Sequence, residues 1–245
     1  MYKNYIFDLY GTLVDINTDE WSDDFWRKIA YLFGYKGAHY TPEELHSEYD
    51  RLVALEKENV LKKHPEIKVP DFKAERVYKK LFEKKGIKTT KAQLNHIGET
   101  FRCCSTNYIK LFDGITDLLD TLKAKNKNIY LLSNAQRIYT ENELRLLDLM
   151  KYFDGILISS DEECSKPDVN YFQILFDRYG LKKCESIMIG NDYKSDIGGA
   201  ADFGIDSLYI YQKSQMMPKP DESEVRTDKL IMDGNVYKIK ELIVK

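Results

Sequence analysis

Four short segments carry the side chains that could do chemistry. The first apolar run, residues 5–7, ends at Asp8 and is then broken by Gly11 and Thr12, which is typical of a buried strand that stops at a site. The other segments also lie at or shortly beyond apolar runs. The candidate residues are Asp8, Tyr10, Thr12, Ser133, Asn134, Lys166, Asn191, Asp192 and Asp196. If these side chains meet in the fold, they can take complementary roles in one reaction. The set would then combine a carboxylate nucleophile, a hydroxyl and amide pair, a lysine and an acidic pair.

Each segment taken alone also fits an ordinary structural role. Asp8 could be a turn residue, Ser133 could cap a helix, and Lys166 could be a solvated surface lysine. Their order along one chain is the stronger signal, because all four follow predicted strands.

From about residue 110 onward, apolar runs of strand length alternate with amphipathic stretches long enough for helices. These runs cover residues 129–132, 156–158, 187–189, 208–210 and 230–232. The alternation predicts an α/β fold, a doubly wound and mainly parallel sheet with helices on both faces. Ligands bind outside the carboxyl ends of the strands in such sheets, where the four segments lie. We also expect Pro167 to begin a helix, which would place Lys166 just before the N-terminus of that helix.

Residues 16–108 contain no comparable short β run and indicate successive helices. The segment TPEE at residues 41–44 combines a capping box with proline in the first helical position. The segment TKAQ at residues 90–93 repeats the capping pattern. We therefore predict a core domain formed by residues 1–15 and 109–245, with an inserted α-helical cap domain between them.

Composition narrows the class of partner. The chain of 245 residues has 37 basic and 40 acidic residues, a near balance that favours a small-molecule substrate over nucleic acid or a membrane surface. No apolar run approaches the roughly 20 residues of a membrane helix, and the first run is too short for a secretory signal. The four cysteines form neither a zinc pattern nor a disulfide framework, so we expect a cytoplasmic location. The oligomeric state stays open.

The ordered motifs DLYGT, LLSNA, SKPD and GNDYKSD resemble those of haloacid dehalogenase-like (HAD) hydrolases with a helical cap inserted after the first strand. The resemblance covers essentially the whole chain. It implies a Rossmann-like core with strand order 3-2-1-4-5 and a site at the sheet edge, closed over by the cap.

The resemblance also implies roles for individual residues. Asp8 is expected to attack phosphorus and form an aspartyl-phosphate that water then hydrolyses. Lys166 would offset the repulsion between this carboxylate and a phosphate dianion. Ser133, Asn134 and Thr12, with backbone N–H groups, would bind the transferred phosphoryl group.

A Mg²⁺ cofactor is part of the same expectation. Its ligands would be Asp8, the backbone carbonyl of Tyr10 and Asp192, all hard oxygen donors, with Asp196 acting behind them or through a water. Relatives with four residues between the two acids would instead place Asn191 where the first acid stands. We prefer Asp192 as the direct ligand.

Tyr10 departs from the pattern of the family's phosphatases, which usually have a general acid at this position. A phenol with a pKa near 10 is poorly matched to that role, and 2-haloacid dehalogenases commonly have tyrosine there. A metal-independent dehalogenase is therefore one alternative, although Asp192 favours a bound cation. A dehalogenase would also need an arginine in the cap to bind the carboxylate of its haloacid substrate. Arg27, Arg51 and Arg76 are candidates, but no motif singles out any of them.

A further alternative is a binding module on the same scaffold, with slow or no turnover. Loss of Asp8 or Lys166 would favour it, and both residues are present. The sequence thus favours a Mg²⁺-dependent phosphatase acting on a small phosphorylated metabolite.

Overall fold

A computed structural model describes residues 2–213 and 218–244 of the protein. The strands in this part of the chain are β1 (Asn4–Phe7), β2 (Val14–Thr18), β3 (Thr106–Leu111), β4 (Asn128–Ser133), β5 (Gly155–Ile158), β6 (Ser186–Gly190), β7 (Asp206–Ile210) and β8 (Leu230–Ile231). The α-helices are α1 (Asp23–Tyr35), α2 (Pro42–Lys63), α3 (Ala74–Lys84), α4 (Lys91–Ser105), α5 (Ile115–Ala124), α6 (Arg137–Leu146), α7 (Ser159–Glu162), α8 (Val169–Tyr179), α9 (Gly199–Phe203) and α10 (Tyr237–Ile243).

Six of these strands form one parallel sheet in the order β5-β4-β1-β6-β7-β8. Numbered along the chain without the β2–β3 pair, this is the expected order 3-2-1-4-5, extended by β8. The first strand lies inside the sheet, and Phe7 is level with Leu131 of β4 and Ile189 of β6. The predicted fold class is confirmed.

The sheet is buried on both faces. Side chains alternate between the faces of a strand, so Tyr5 and Phe7 pack with the cluster that contains Leu118 of α5, whereas Ile6 packs with the cluster that contains Phe172 of α8. Burial on both sides explains why the sheet strands are continuous apolar runs rather than alternating ones.

Helices α1 to α4 pack around a separate, largely aromatic cluster. Its fully buried members include Phe25, Phe33, Phe82 and Phe101. The two predicted helix starts are confirmed, because Thr41 and Thr90 each form a complete capping box with the residue three positions later. We call helices α1 to α4 the cap.

An antiparallel ribbon of β2 and β3 leads into and out of the cap. The interpretation that residues 16–108 lack β structure is wrong at both ends, because β2 continues to Thr18 and β3 begins at Thr106. Strand β2 alternates apolar and polar residues and β3 is mixed, so neither contains the continuous apolar run that identified the sheet strands. The predicted domain boundaries fall within the ribbon and stay a prediction. Of the core residues assigned there, 1, 214–217 and 245 lie outside the described residues.

The expectation that Pro167 opens a helix is wrong. Helix α8 begins at Val169, and Asp168 is its N-cap, accepting a hydrogen bond from the backbone N–H of Asn170 at 3.0 Å. An aspartate provides the acceptor that the first turn of a helix needs, which proline cannot do.

Among the helices of residues 2–213 and 218–244, none combines the length and apolar character needed to cross a membrane.

Candidate active site

Asp8 is fixed at the end of β1 by a tight turn. Its backbone N–H donates to the carbonyl of Ile189 at 3.0 Å, and Thr12 Oγ1 donates to Asp8 Oδ2 at 3.0 Å. Gly11 in this turn has a φ of +84°, and a Cβ there would lie 2.3 Å from Asn191 Nδ2. Only glycine combines this backbone conformation with such close packing.

Lys166 reaches Asp8 from a loop far along the chain. Its Nζ lies 2.7 Å from Asp8 Oδ1 and 2.7 Å from Asp196 Oδ1, and it donates to the carbonyl of Leu132 at 2.7 Å. Burial alone would lower the pKa of Lys166, but the carboxylates of Asp196 and Asp8 outweigh it and raise the pKa. The ammonium group donates hydrogen bonds to Asp8 Oδ1 and to the carbonyl of Leu132, and forms an ion pair with Asp196, so the side chain stays charged.

Ser133, the last residue of β4, and Asn134, which follows it, have different surroundings. The Asn134 side chain holds the backbone of Lys166, accepting from its N–H at 2.8 Å and donating to its carbonyl at 3.0 Å. Ser133 Oγ is buried and has no hydrogen-bond partner among the described residues. Ser133 does not line the cavity at Asp8, so phosphate binding by its hydroxyl stays a prediction.

The acidic motif after β6 is divided between a buried and a partly exposed carboxylate. Asp196 is 1% exposed and accepts from the backbone N–H of Asp192 at 3.0 Å. Burial raises the pKa of Asp196 to about 7; Lys166 opposes this increase and Asp8 adds to it. Asp192 Oδ1 accepts from the N–H groups of the next turn, at 2.9 and 3.0 Å.

Asn191, the alternative to Asp192 in the motif, faces the first strand. Its Oδ1 lies 3.1 Å from Thr12 Oγ1, beside Gly11. Asn191, Asp192 and Asp196 all line the same cavity, so the choice of direct metal ligand stays a prediction.

That cavity has a volume of about 160 Å³. It is lined by Asp8, Tyr10, Asn134, Lys166, Asn191, Asp192, Ser195 and Asp196. Three carboxylates and one ammonium group thus line the same cavity, and two of the carboxylates, Asp8 and Asp196, pair with Lys166. Among the described residues, no group of three or more His, Cys, Asp or Glu side chains is placed to hold a metal ion. A cation here would therefore also need backbone, water or substrate oxygens.

The hydroxyl of Tyr10 is engaged outside this cavity. It contacts the Glu143 carboxylate and lies 2.9 Å from Thr140 Oγ1. The Arg102 guanidinium lies 5.5 Å from the centre of the Tyr10 ring, and Arg102 Nε donates to Glu143 Oε1 at 2.6 Å. Burial first, and then the Glu143 charge, raise the pKa of Tyr10 above its ordinary value.

The sequence analysis missed the partners of Tyr10. Thr140 and Glu143 lie three positions apart on α6, so they share a helix face, but a polar pair on a helix is a weak signal. The three cap arginines considered earlier, Arg27, Arg51 and Arg76, pair with carboxylates that do not line the cavity.

Comparisons with known proteins point to one family. A family model described as haloacid dehalogenase-like hydrolase matches residues 2–204. The phosphorylated carbohydrates phosphatase of Thermotoga maritima is 26% identical over 206 residues, which cover 83% of this chain and 82% of that protein. Glyceraldehyde 3-phosphate phosphatase of Methanothermobacter thermautotrophicus is 24% identical over 135 residues, and the match spans only 55% of this chain and 59% of that protein.

Solved structures of the same fold include both phosphatases and dehalogenases. The HAD phosphatase of Thermococcus onnurineus has a TM-score of 0.58 at 15% identity, with 98% of this chain and 96% of that chain covered. L-2-haloacid dehalogenase of Xanthobacter autotrophicus has a TM-score of 0.56 at 15% identity, with 99% and 100% covered. At this identity the likeness concerns the fold alone. Because the family model spans most of the sequence, the chain belongs to the haloacid dehalogenase-like hydrolases.

Proposed function

We propose that the protein is a Mg²⁺-dependent phosphatase that acts on a small phosphorylated compound. The observation that carries this proposal is that three carboxylates and a single lysine line the cavity at Asp8. Such an excess of negative charge would repel a phosphate dianion unless a cation offsets it. The two relatives described above, both named phosphatases, support the same reaction.

In this proposal Asp8 is the nucleophile. One of its carboxylate oxygens forms a bond to phosphorus while the bond from phosphorus to the leaving-group oxygen breaks. Water then cleaves the aspartyl-phosphate, which releases inorganic phosphate and restores Asp8. Thr12 holds the carboxylate in orientation through its 3.0 Å hydrogen bond.

The charge of the transferred group would be balanced by Lys166 and by hydrogen-bond donors. The Lys166 ammonium already lies 2.7 Å from Asp8 Oδ1, so it is placed beside the attacking group. The unpaired Ser133 hydroxyl and nearby backbone N–H groups would donate to the phosphoryl oxygens. Asn134 contributes through the Lys166 backbone that it holds.

The residues present fit a hard divalent cation. Asp8, the backbone carbonyl of Tyr10 and Asp192 would hold Mg²⁺, and Asp196 would act behind them, since it is buried against Lys166. Mg²⁺ commonly keeps several waters and binds substrate phosphate, so it does not need a full set of protein carboxylates. When bound, it would supply positive charge beside the transferred phosphoryl group.

A metal-independent 2-haloacid dehalogenase is the second candidate. The observation in its favour is Tyr10, whose hydroxyl is committed to Glu143 and Thr140 rather than held available as an acid. Halide departure needs no proton, so this arrangement suits it. Asp192 speaks against it, because a metal-free site would keep this carboxylate near the nucleophile in addition to the buried Asp196.

A binding module with slow or no turnover is the third candidate, and the intact pairing of Asp8 with Lys166 speaks against it.

We also propose that the protein works in the cytoplasm, where its four cysteines would stay reduced.

One assay separates these candidates. The protein is incubated with a panel of phosphorylated metabolites and a panel of 2-haloacids, each with Mg²⁺ and with excess chelator. We expect phosphate release that requires Mg²⁺. Halide release in the presence of chelator would establish the dehalogenase instead. Mg²⁺-dependent binding without any product would establish the binding module.

A further inference from the structure

A segment of the cap is hydrogen-bonded to the loop that presents Lys166. We call residues 66–74, which lead from the end of α2 to the first residue of α3, the strap. The N–H of Ser165 donates to the carbonyl of Val69 at 3.0 Å, and the N–H of Asp71 donates to the carbonyl of Glu163 at 3.0 Å. The strap thus runs beside residues 163–168 of the core.

Asp168 joins the strap to this loop with its side chain. The residue is 3% exposed. Its Oδ2 accepts from the backbone N–H of Lys68 at 2.5 Å and of Val69 at 3.2 Å, and its Oδ1 accepts from the N–H of Asn170 at 3.0 Å. One carboxylate oxygen therefore begins helix α8, while the other binds two donors of the cap. Hydrogen bonds to an ionised acceptor are stronger than neutral ones.

The loop between these contacts has little freedom left. Asp168 holds it on the cap side, and Asn134 holds the backbone N–H and carbonyl of Lys166 on the other side. The Lys166 Nζ then lies 2.7 Å from both Asp8 and Asp196. A displacement of the loop would change these distances directly.

We propose that Asp168 is a positioning residue, which ties the strap to the Lys166 loop and so sets Lys166 against Asp8. The inference rests on the role proposed above for Lys166. It makes the cap part of the catalytic geometry through a contact that need not touch the substrate. Misplacement of a catalytic group by about 1 Å can lower a rate by about 100-fold.

Two substitutions separate this role from helix capping. Asp168→Ser keeps a good N-cap for α8 but has no second oxygen to reach the strap. Asp168→Ala loses both. We expect Asp168→Ser to retain the thermal midpoint better than Asp168→Ala, while both lower kcat on p-nitrophenyl phosphate with Mg²⁺ by about 10- to 100-fold and change KM little.

Gln136→Ala is the matched control. Gln136 binds the far end of the strap, accepting from the N–H of Ala74 at 2.8 Å and donating to the carbonyl of Phe72 at 2.9 Å. Within the described parts of the chain, the Gln136 side chain forms its hydrogen bonds with residues 71–74 and none with residues 163–168. We expect this variant to loosen the strap at residues 72–74 and to leave kcat within about twofold of wild type.

Hydrogen exchange gives a readout that does not depend on turnover. We expect Asp168→Ser to accelerate exchange at the amides of Lys68 and Val69, and also at those of Ser165 and Lys166. The inference is overturned if exchange rises at Lys68 and Val69 while Ser165, Lys166 and kcat stay as in wild type. If wild-type protein hydrolyses no phosphate ester, the proposed function fails, and exchange at Ser165 and Lys166 alone decides the coupling.

Discussion

The hydroxyl of Tyr10, two positions after the candidate nucleophile, contacts the carboxylate of Glu143 on helix α6. Thr140 Oγ1 lies 2.9 Å from the same phenolic oxygen, and Arg102 holds Glu143 from the cap side. Burial and Glu143 raise the pKa of Tyr10, so the phenol keeps its proton in this network. A side chain so placed is poorly suited to protonate a leaving group at neutral pH.

We therefore expect a strong preference for good leaving groups. Aryl and acyl phosphates should be hydrolysed far faster than alkyl phosphates, and Tyr10→Asp should narrow that difference by up to about 10²- to 10⁴-fold. The measurement is kcat/KM for an aryl and an alkyl phosphate in both proteins. Tyr10→Phe, which keeps the ring and removes the hydroxyl, is the control. An equal decrease for both substrates in Tyr10→Asp would show that Tyr10 is structural or catalytic in its own right.

The Arg102–Glu143 ion pair should contribute to stability because it is largely buried. The two side chains are 15% and 10% exposed, and without Glu143 the Arg102 guanidinium keeps Glu20, a more exposed partner at 3.2 Å, so its charge is less well compensated. We expect Glu143→Leu to lower the free energy of unfolding by about 3 kcal/mol, measured by urea denaturation.

A control variant and a double-mutant cycle make this stability test specific to the Arg102–Glu143 pair. The pair of Arg145 with Glu141 lies on the same helix with 59% and 37% exposure, so Glu141→Leu should cost less than about 1 kcal/mol. Arg102→Leu combined with Glu143→Leu should cost less than the sum of the single changes. Strict additivity would contradict the coupling.

Asp8→Asn should abolish turnover and leave the fold intact, because the amide keeps the shape of the side chain and loses the nucleophile. Lys166 keeps its partner Asp196 in this variant. Asp15→Asn is a matched control, since Asp15 is also buried but does not line the cavity. Circular dichroism and phosphate release are measured for both. Undiminished turnover in Asp8→Asn would refute the assignment.

Asp192→Asn should weaken the response to Mg²⁺. The amide oxygen can still accept from the N–H groups of the following turn, so the local fold should persist while one negative charge is lost. We expect the Mg²⁺ concentration for half-maximal activity to rise, and excess chelator to remove activity in the wild type. Activity that survives the chelator unchanged would exclude the proposed cofactor.

Gly11→Ala should be far more damaging than an equivalent change elsewhere. Gly11 and Gly86 both have positive φ, +84° and +76°, but a Cβ has no neighbour within 4 Å at Gly86 and would meet Asn191 at 2.3 Å at Gly11. Gly86→Ala should cost about 1–2 kcal/mol for the backbone conformation alone. Gly11→Ala should cost more and also reduce activity, which thermal melts and turnover assays would check. Equal effects would show that contact with Asn191 is unimportant.

The sheet and the positions of the motif residues follow from local sequence. Each sheet strand is a short apolar run, and parallel strands bring their carboxyl ends to one edge, so Asp8, Lys166 and Asp196 could be expected to meet. The helix starts at Thr41 and Thr90 could also be predicted from the sequence, because a capping box is contained within four consecutive residues.

What could not be predicted depends on contacts between distant segments. The partners of Tyr10 lie on α6 and in the cap, and nothing in the segment DLYGT indicates them. The same holds for Asp168, whose capping of α8 is a local feature but whose bonds to Lys68 and Val69 join residues about 100 positions apart. Ribbon strands β2 and β3 were missed because each is stabilised by its partner rather than by an apolar run of its own.

The place of β1 inside the sheet also affects how the chain is made. Its Asn4 pairs with residues 124 and 182 positions further on, in β4 and β6. At translation rates of about 5–20 residues per second, roughly 10–40 s separate the synthesis of β1 from that of its second neighbour. Throughout that time the strand next to the nucleophile lacks at least one of the two neighbours that bury it. A ribosome-bound chain stalled before Ser186 should therefore be prone to aggregation or depend on chaperones, although its cap helices have already been synthesised.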